Sequence, residues 1–232
     1  TVARARATAA LSGRPERFEL LRAEALPAGW TGKLWALQQG AEAADAEAEA
    51  PGDFLWFSDA DIRQPPDTLR RLVAKAEAER RDMVSLMVAL TCESFWERLL
   101  IPPFIYFFQK LYPFAWVNDP GSATAAAAGG CILLRRAALA RIGGIAAIRD
   151  ALIDDCSLAA KVKASRPQGS AGIWLGLAEG PRSIRPYSGL RPIWDMVART
   201  AYTQLHHSPL LLAGTLLGMA LTYLVPPLLL IV

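Results

Sequence analysis

Four apolar residues in a row, Phe54-Leu55-Trp56-Phe57, stop at Ser58-Asp59-Ala60-Asp61. A short apolar run ended by polar residues reads as a buried strand of the parallel type. Helical spacing precedes it, with Leu34, Leu37 and Ala41 on one face of a helix over 33–48. Helical spacing also follows it, where Pro65-Pro66 opens a helix to Arg81 with Leu69, Leu72, Val73 and Ala76 turned inward. A second strand is expected over 83–90. Helix, strand, helix, strand in sequence predicts an α/β domain with a mostly parallel sheet flanked by helices. In such sheets ligands sit beyond the carboxyl ends of strands, where Asp59 and Asp61 fall.

The remaining pattern is less regular. Residues 1–12 favour a helix stopped by Gly13-Arg14-Pro15, residues 17–23 alternate weakly as a short strand would, and Leu26 to Trp30 is a turn. Residues 123–134 look extended, 135–142 form a short helix ended by Gly143-Gly144, and 151–164 are helical with Ile153-Asp154-Asp155 in the first turn. Ile173 to Gly176 reads as a strand and 193–205 as an amphipathic helix. Residues 95–116 are crowded with aromatics but broken by Pro102-Pro103 and Pro113. They suit either a membrane interface or a buried helical subdomain. Residues 208–232 carry no charge, so they read as a transmembrane segment that Pro226-Pro227 kinks or ends, the alternative being a buried core helix. Arg182, Arg185, Arg191 and Arg199 precede it, as expected on a cytoplasmic flank. The domain reading is a catalytic unit over 1–205, its amino-terminal strands missing, followed by a span over 208–232.

Composition narrows the function. The chain has 232 residues, 53% of them hydrophobic, and a net charge of +3. Balanced charge with no basic face argues against nucleic acid as a partner. Cys92, Cys131 and Cys156 are odd in number and widely spaced, which excludes a disulfide framework and a thiolate zinc site. His206 and His207 are adjacent and suit neither a helical metal pair nor a triad.

Three places could carry chemistry. At a strand end, Asp59 and Asp61 can reach one Mg²⁺ or Mn²⁺, ions that take one or two carboxylates plus phosphates and waters; the plainer role is turn capping. Gly32-Lys33 opens a helix, where phosphates favour the amino terminus, against the default of a surface lysine. Asp154-Asp155 opens another helix, where acids stabilise the dipole and where an ionised carboxylate can take a proton from a hydroxyl.

Taken in order, the motifs resemble those of family-2 glycosyltransferases with a GT-A fold. They are most like the hopanoid-biosynthesis-associated (hopene-associated) membrane glycosyltransferases. The resemblance rests on Gly29-Trp30-Thr31-Gly32-Lys33-Leu34-Trp35, Asp59-Ala60-Asp61-Ile62, Val84-Ser85-Leu86-Met87 and Ala128-Gly129-Gly130-Cys131. It continues through Leu152-Ile153-Asp154-Asp155-Cys156, Ile173-Trp174-Leu175-Gly176 and Met196-Val197-Ala198-Arg199-Thr200. It implies inverting transfer from a nucleotide-diphosphate sugar, of UDP type, to a membrane lipid such as a hopanoid. The implied place is the bacterial inner (cytoplasmic) membrane, with the catalytic domain facing the cytoplasm. By the same resemblance Asp59 and Asp61 hold the metal and Asp155 is the base, with Asp154 in place of the family's Glu. Lys33, Gly32, Trp30, Asp59, Gly129, Gly130 and Arg199 line the substrates. The arginine of the family's Gln-x-x-Arg-Trp is kept as Arg199, while Met196 and Thr200 replace Gln and Trp, which argues against polymer synthesis. Two other classes fit the same residues: a non-catalytic membrane scaffold and a metal-dependent nucleotidyl- or phosphotransferase.

Overall fold

A computed structural model describes residues 2–11, 13, 16, 18–46, 53–205 and 207–229. Helix α1 spans Val2–Leu11 and α2 spans Gly32–Ala46. Residues 47–48 of the expected second helix, and His206, lie outside the described residues. Strand β1 is Phe54–Ser58, β2 is Ile62–Arg63, helix α3 is Thr68–Ala78 and β3 is Arg81–Ala89. Helices α4 (Phe95–Leu111) and α5 (Phe114–Asn118) precede β4 (Cys131–Arg135). Then come α6 (Arg136–Arg141), a 3₁₀ turn (Ile145–Ile148), α7 (Asp154–Ala164), β5 (Gly172–Ser183) and α8 (Leu190–Gln204).

The five strands form one sheet in the order β1-β4-β3-β5-β2. Only β3 and β5 pair in parallel; β1 with β4, β4 with β3 and β2 with β5 are antiparallel. The expected mostly parallel sheet is therefore corrected to a mixed, mostly antiparallel one. The helix–strand alternation does make β1, β3 and β5 run the same way. What it does not fix is which strands are neighbours, and β4 enters from the carboxyl edge of β1 and β3 and runs back between them. The consequence lies in the register. Ser58 at the end of β1 sits opposite Cys131 at the start of β4, so the Asp59 loop and the Gly129-Gly130 loop share one edge of the sheet.

Strand alternation divides the core in two. Met83, Ile132, Leu134, Ile173 and Leu175 face α2 and α7, packing with Leu34, Leu158 and Val162. Val84, Val88, Cys131 and Leu133 face the opposite way, against Leu72 and Ala76 one turn apart on α3. No strand forms over the described residues 18–23. Leu20 and Leu21 are adjacent, so no single strand face collects the apolar side chains.

Pro102 and Pro103 do not break α4, which runs through them, whereas Pro113 separates α4 from α5. On the surface, the carbonyls that prolines leave without helical donors can find other partners. The start of α4 is fixed by a capping box. The Ser94 hydroxyl accepts from the Glu97 N–H, and Glu97 Oε2 accepts from the N–H groups of Ser94 (2.8 Å) and Glu93 (3.0 Å). Glu97 Oε1 accepts a further N–H from Tyr187 at 2.7 Å, which ties α4 to the segment between β5 and α8.

Helix α9 (Pro209–Met219) continues through a π turn (Ala220–Leu224) into α10 (Val225–Leu229). Pro226-Pro227 is carried within this run rather than ending it, directly after the widened turn. Residues Pro209–Leu229 make one helix of 21 residues, with mean hydropathy 1.6 and none of it buried, long and apolar enough to cross a membrane. A wholly exposed apolar helix is not a core helix. Its Tyr223 hydroxyl accepts from Lys110 Nζ at 2.8 Å, and the Tyr223 ring meets Phe107 edge-on, so this helix packs beside α4.

The backbone N–H groups of Ser94 and Tyr187 hold the Glu97 carboxyl far below its ordinary 4.5, at about 2. A carboxyl depressed by folding stabilises the fold above its unfolded value, and that contribution disappears as pH falls through the folded value. Glu97→Gln is therefore expected to lower the melting temperature at neutral pH, with the gap to wild type narrowing between pH 4.5 and about 2. Thermal melts across that range measure it.

Candidate active site

Thr31 begins the site. Its N–H donates to Arg149 O at 3.1 Å, and its hydroxyl accepts from the Leu34 N–H at 3.3 Å, capping α2. That fixes Lys33 in the first turn of α2, beside the segment leading into α7. Lys33 Nζ lies 2.9 Å from Asp154 Oδ2 and 3.7 Å from Asp59 Oδ1. Three elements, the starts of α2 and α7 and the end of β1, thus meet at one ammonium.

Asp155 points into the sheet edge. Its Oδ2 accepts from the Gly129 N–H at 2.9 Å and its Oδ1 from the Cys156 N–H at 2.8 Å. A side chain on Gly129 would place its Cβ 3.2 Å from Lys33 Nζ and 3.4 Å from Asp155 Oδ2, so glycine lets the two charges close over the backbone. Gly129 is held from beneath by Ser85, a buried residue whose hydroxyl accepts from the Ala128 N–H and donates to its carbonyl. Gly130 is equally close-packed, a Cβ there meeting Val88 at 3.0 Å.

The electrostatics follow from burial. Burial raises the Asp155 carboxyl, reinforced by the charge of Asp154 and opposed by the Cys156 N–H, Lys33 and the Gly129 N–H. Burial likewise raises Asp59, against the pull of Lys33. Burial pulls the Lys33 ammonium down, but its hydrogen bond and attraction to Asp154, with Asp59 and Asp155 adding, hold it above its ordinary value. It is a firm cation.

These residues line a cleft of about 870 Å³. Lys33, Asp59, Asp61, Gly129, Gly130, Asp154 and Asp155 all reach it. Asp59 and Asp61 are brought to one side by a tight turn, in which the Ile62 N–H donates to Asp59 O, and by the Ile184 N–H donating to Asp61 O at 2.8 Å. Arg199 lines the far wall from α8, exposed, together with Arg185 and Arg191. Phe104 and Phe108 of α4 form part of the same wall. Trp30 and Gly32 do not line the cleft. Trp30 packs against the core and meets Trp35 edge-on, so its contribution is to the turn before α2. Among the described residues no group of three or more Asp, Glu, His or Cys is placed to hold a metal unaided.

The sequence assigns no role to Thr31 or Ser85, although both fall in its motifs, and none to Glu97. A Ser-x-x-Glu pattern at residues 94–97 was the available signal for the last, as a capping box. For Ser85 there was none, since a lone serine in a strand carries no mark of what it bonds.

Removing the ammonium leaves three neighbouring carboxylates facing one another. Lys33→Met is expected to cost about 1 kcal/mol at neutral pH, the scale of partly exposed ion pairs. The loss should shrink in mild acid, where Asp59 and Asp155, raised by burial, take protons; chemical denaturation at both pH values measures it.

Comparison with known proteins places the chain in a family. A family model, glycosyl transferase family 21, matches residues 21–226. No curated protein matches the chain. The match supports glycosyl transfer, and gives none to placement in family 2 or to a hopanoid link. With nearly its whole length matched, including every residue that lines the cleft, the chain belongs to glycosyl transferase family 21.

Proposed function

We propose that this protein transfers a sugar from a nucleoside-diphosphate donor, of UDP type, to a hydroxyl of a membrane lipid, with inversion at the anomeric carbon. The observation that carries the reading is the cluster of Lys33, Asp59, Asp154 and Asp155 in one cleft. That cleft is also walled by α4 and α8, which pack together and lead to the apolar helix.

The donor's diphosphate is anionic and becomes more so as it leaves. Lys33 supplies a fixed positive charge at a helix start, where charge developing in the transition state is stabilised without reorganisation. Asp59 and Asp61 suit a hard divalent cation, Mg²⁺ or Mn²⁺, because two carboxylates on one wall leave the other positions to phosphate oxygens and water. Such an ion, when bound, neutralises the leaving diphosphate. Asp155 takes the proton from the acceptor hydroxyl as its oxygen bonds to the anomeric carbon and the bond to the diphosphate breaks. Its raised pKa makes it a better base than a free carboxylate, and the Gly129 and Cys156 N–H groups hold it in one orientation. Asp154 lies beside it, occupied with Lys33.

The acceptor side is argued from the surface. Phe95, Leu99, Tyr106 and Leu111 of α4, Trp116 of α5 and Trp194 of α8 are exposed large apolar residues. Aromatic side chains of this kind suit the lipid–water boundary, and α4 adjoins the helix able to span it through Phe107 and Tyr223. The exposed Arg185, Arg191 and Arg199 then face the headgroup region, on the cytoplasmic side of a bacterial inner membrane. A polyprenyl carrier or a hopanoid would fit such an acceptor site.

A screen of sugar nucleotides with Mg²⁺ or Mn²⁺, on full-length protein in lipid vesicles, tests the class. Release of UDP is expected; release of pyrophosphate, or of nothing, would contradict it. Asp155→Asn is expected to lower kcat by roughly 10²–10⁴-fold with donor affinity kept. Wild-type kcat should fall on the acid side, through a value above the ordinary carboxylate range, as Asp155 takes up a proton. Asp61→Asn should raise the Mn²⁺ concentration for half-maximal rate by more than the roughly tenfold that outer-shell partners cost. An unchanged metal requirement would remove Asp61 from the metal site.

A further inference from the structure

The loop carrying Asp59 and Asp61 is closed by a side chain that no part of the mechanism uses. Gln64 lies three residues past Asp61, just after β2, and its Nε2 donates to Ser58 Oγ at 3.0 Å. The contact joins the residue before the first aspartate to a residue beyond the second. Ser58 Oγ in turn lies 3.3 Å from both Gly130 O and Asp59 O, and its one proton can be donated to either. Gly129, next in the chain, holds Asp155 through its N–H. A hydrogen-bonded path therefore runs from Gln64 through Ser58 to the glycine loop and the base.

The other end of the Gln64 amide shows what this arrangement costs. Gln64 Oε1 is buried and has no hydrogen-bond partner. A buried acceptor left without a donor is unfavourable, and such groups are rare enough to need an explanation. Stability does not supply one here, since an apolar side chain would relieve the cost. Burial raises the Cys131 thiol, and the Gln64 amide, whose N–H donates toward its sulfur, opposes that rise, so the thiol offers the amide oxygen no donor. With its oxygen end enclosed and the amide planar, the nitrogen end has little freedom to turn away from Ser58.

From this geometry we infer that Gln64 is a positioning residue. Through Ser58 it fixes the spacing of Asp59 and Asp61 from each other and from Asp155, and so sets the affinity for the divalent ion and the diphosphate it accompanies. The inference rests on the donor-site reading above. It separates positioning from support of the fold, because Gln64→Ala removes both the clasp and the unpartnered oxygen.

The test uses full-length protein and Mn²⁺ with UDP, and reads binding by calorimetry and melting temperature without ligand. Gln64→Ala is expected to weaken Mn²⁺–UDP binding by about tenfold, the scale of outer-shell partners, with a melting temperature no lower than wild type. Ser58→Ala should give a loss of similar size, and the double variant no more than either alone. Unchanged affinity in Gln64→Ala overturns the inference. So does a fall in melting temperature that accompanies the affinity loss, or additive losses in the double variant. Failure of the wild type to bind Mn²⁺–UDP would instead sink the donor-site reading.

Discussion

The ammonium of Lys33 is the constraint around which the site is built. Asp59, Asp154 and Asp155 come from two separate elements and converge on a partly buried space, where like charges repel strongly. Lys33 lies within hydrogen-bonding distance of Asp154 and at ion-pair distance from Asp59, and its charge also reaches Asp155. It makes their convergence tolerable. Its position depends on Thr31 capping α2, on Gly129 having no side chain, and on β4 running back beside β1 so that Gly129 arrives at the right edge. Each is a local packing or hydrogen-bonding fact, and together they gather Lys33 with Asp59, Asp154 and Asp155 at a single cleft.

The second organising element lies beside the apolar helix. Glu97 is fully buried, yet it is satisfied by backbone donors from its own helix start and from the chain entering α8. That carboxylate keeps α4 and the approach to α8 together, while Tyr112 donates to Gln204 at the other end of both helices, at 2.8 Å. The cleft lies against these two helices. Under the proposed function, a lipid acceptor would bring its hydroxyl to Asp155 and lay its apolar body toward the exposed aromatics of α4 and α8. In this way the chemistry at the sheet edge and the apolar helix are parts of one arrangement.

Much of this was legible in the residues. The apolar run at Phe54–Phe57 and the acids after it marked β1 and its loop, because a buried strand and its polar end differ sharply in composition. The acid pair at the start of α7 and the Gly-Lys at the start of α2 were visible as helix-terminus chemistry. The sheet's pairing was not legible. Cys131–Arg135 is apolar whichever way it runs, and its direction is set by where α4 and α5 deliver the chain. The weak alternation over 17–23 misled because it lacked a consistent apolar face. Pro102-Pro103 misled because a surface helix tolerates the loss of two internal donors. Gln64 and Ser58 carry no local signal, since their meaning comes only from a contact six residues apart that closes a loop.

The central claim is that this cluster performs a single displacement with Asp155 as base, and the configuration of the product tests it most directly. Full-length protein in vesicles, given an isotopically labelled α-linked sugar nucleotide and a hydroxyl-bearing lipid acceptor, yields a product whose anomeric centre can be assigned by its one-bond carbon–proton coupling. The account predicts a β-linked product, with inversion lost together with turnover in Asp155→Asn. An α-linked product, or transfer that continues unimpaired without the Asp155 carboxylate, would contradict it.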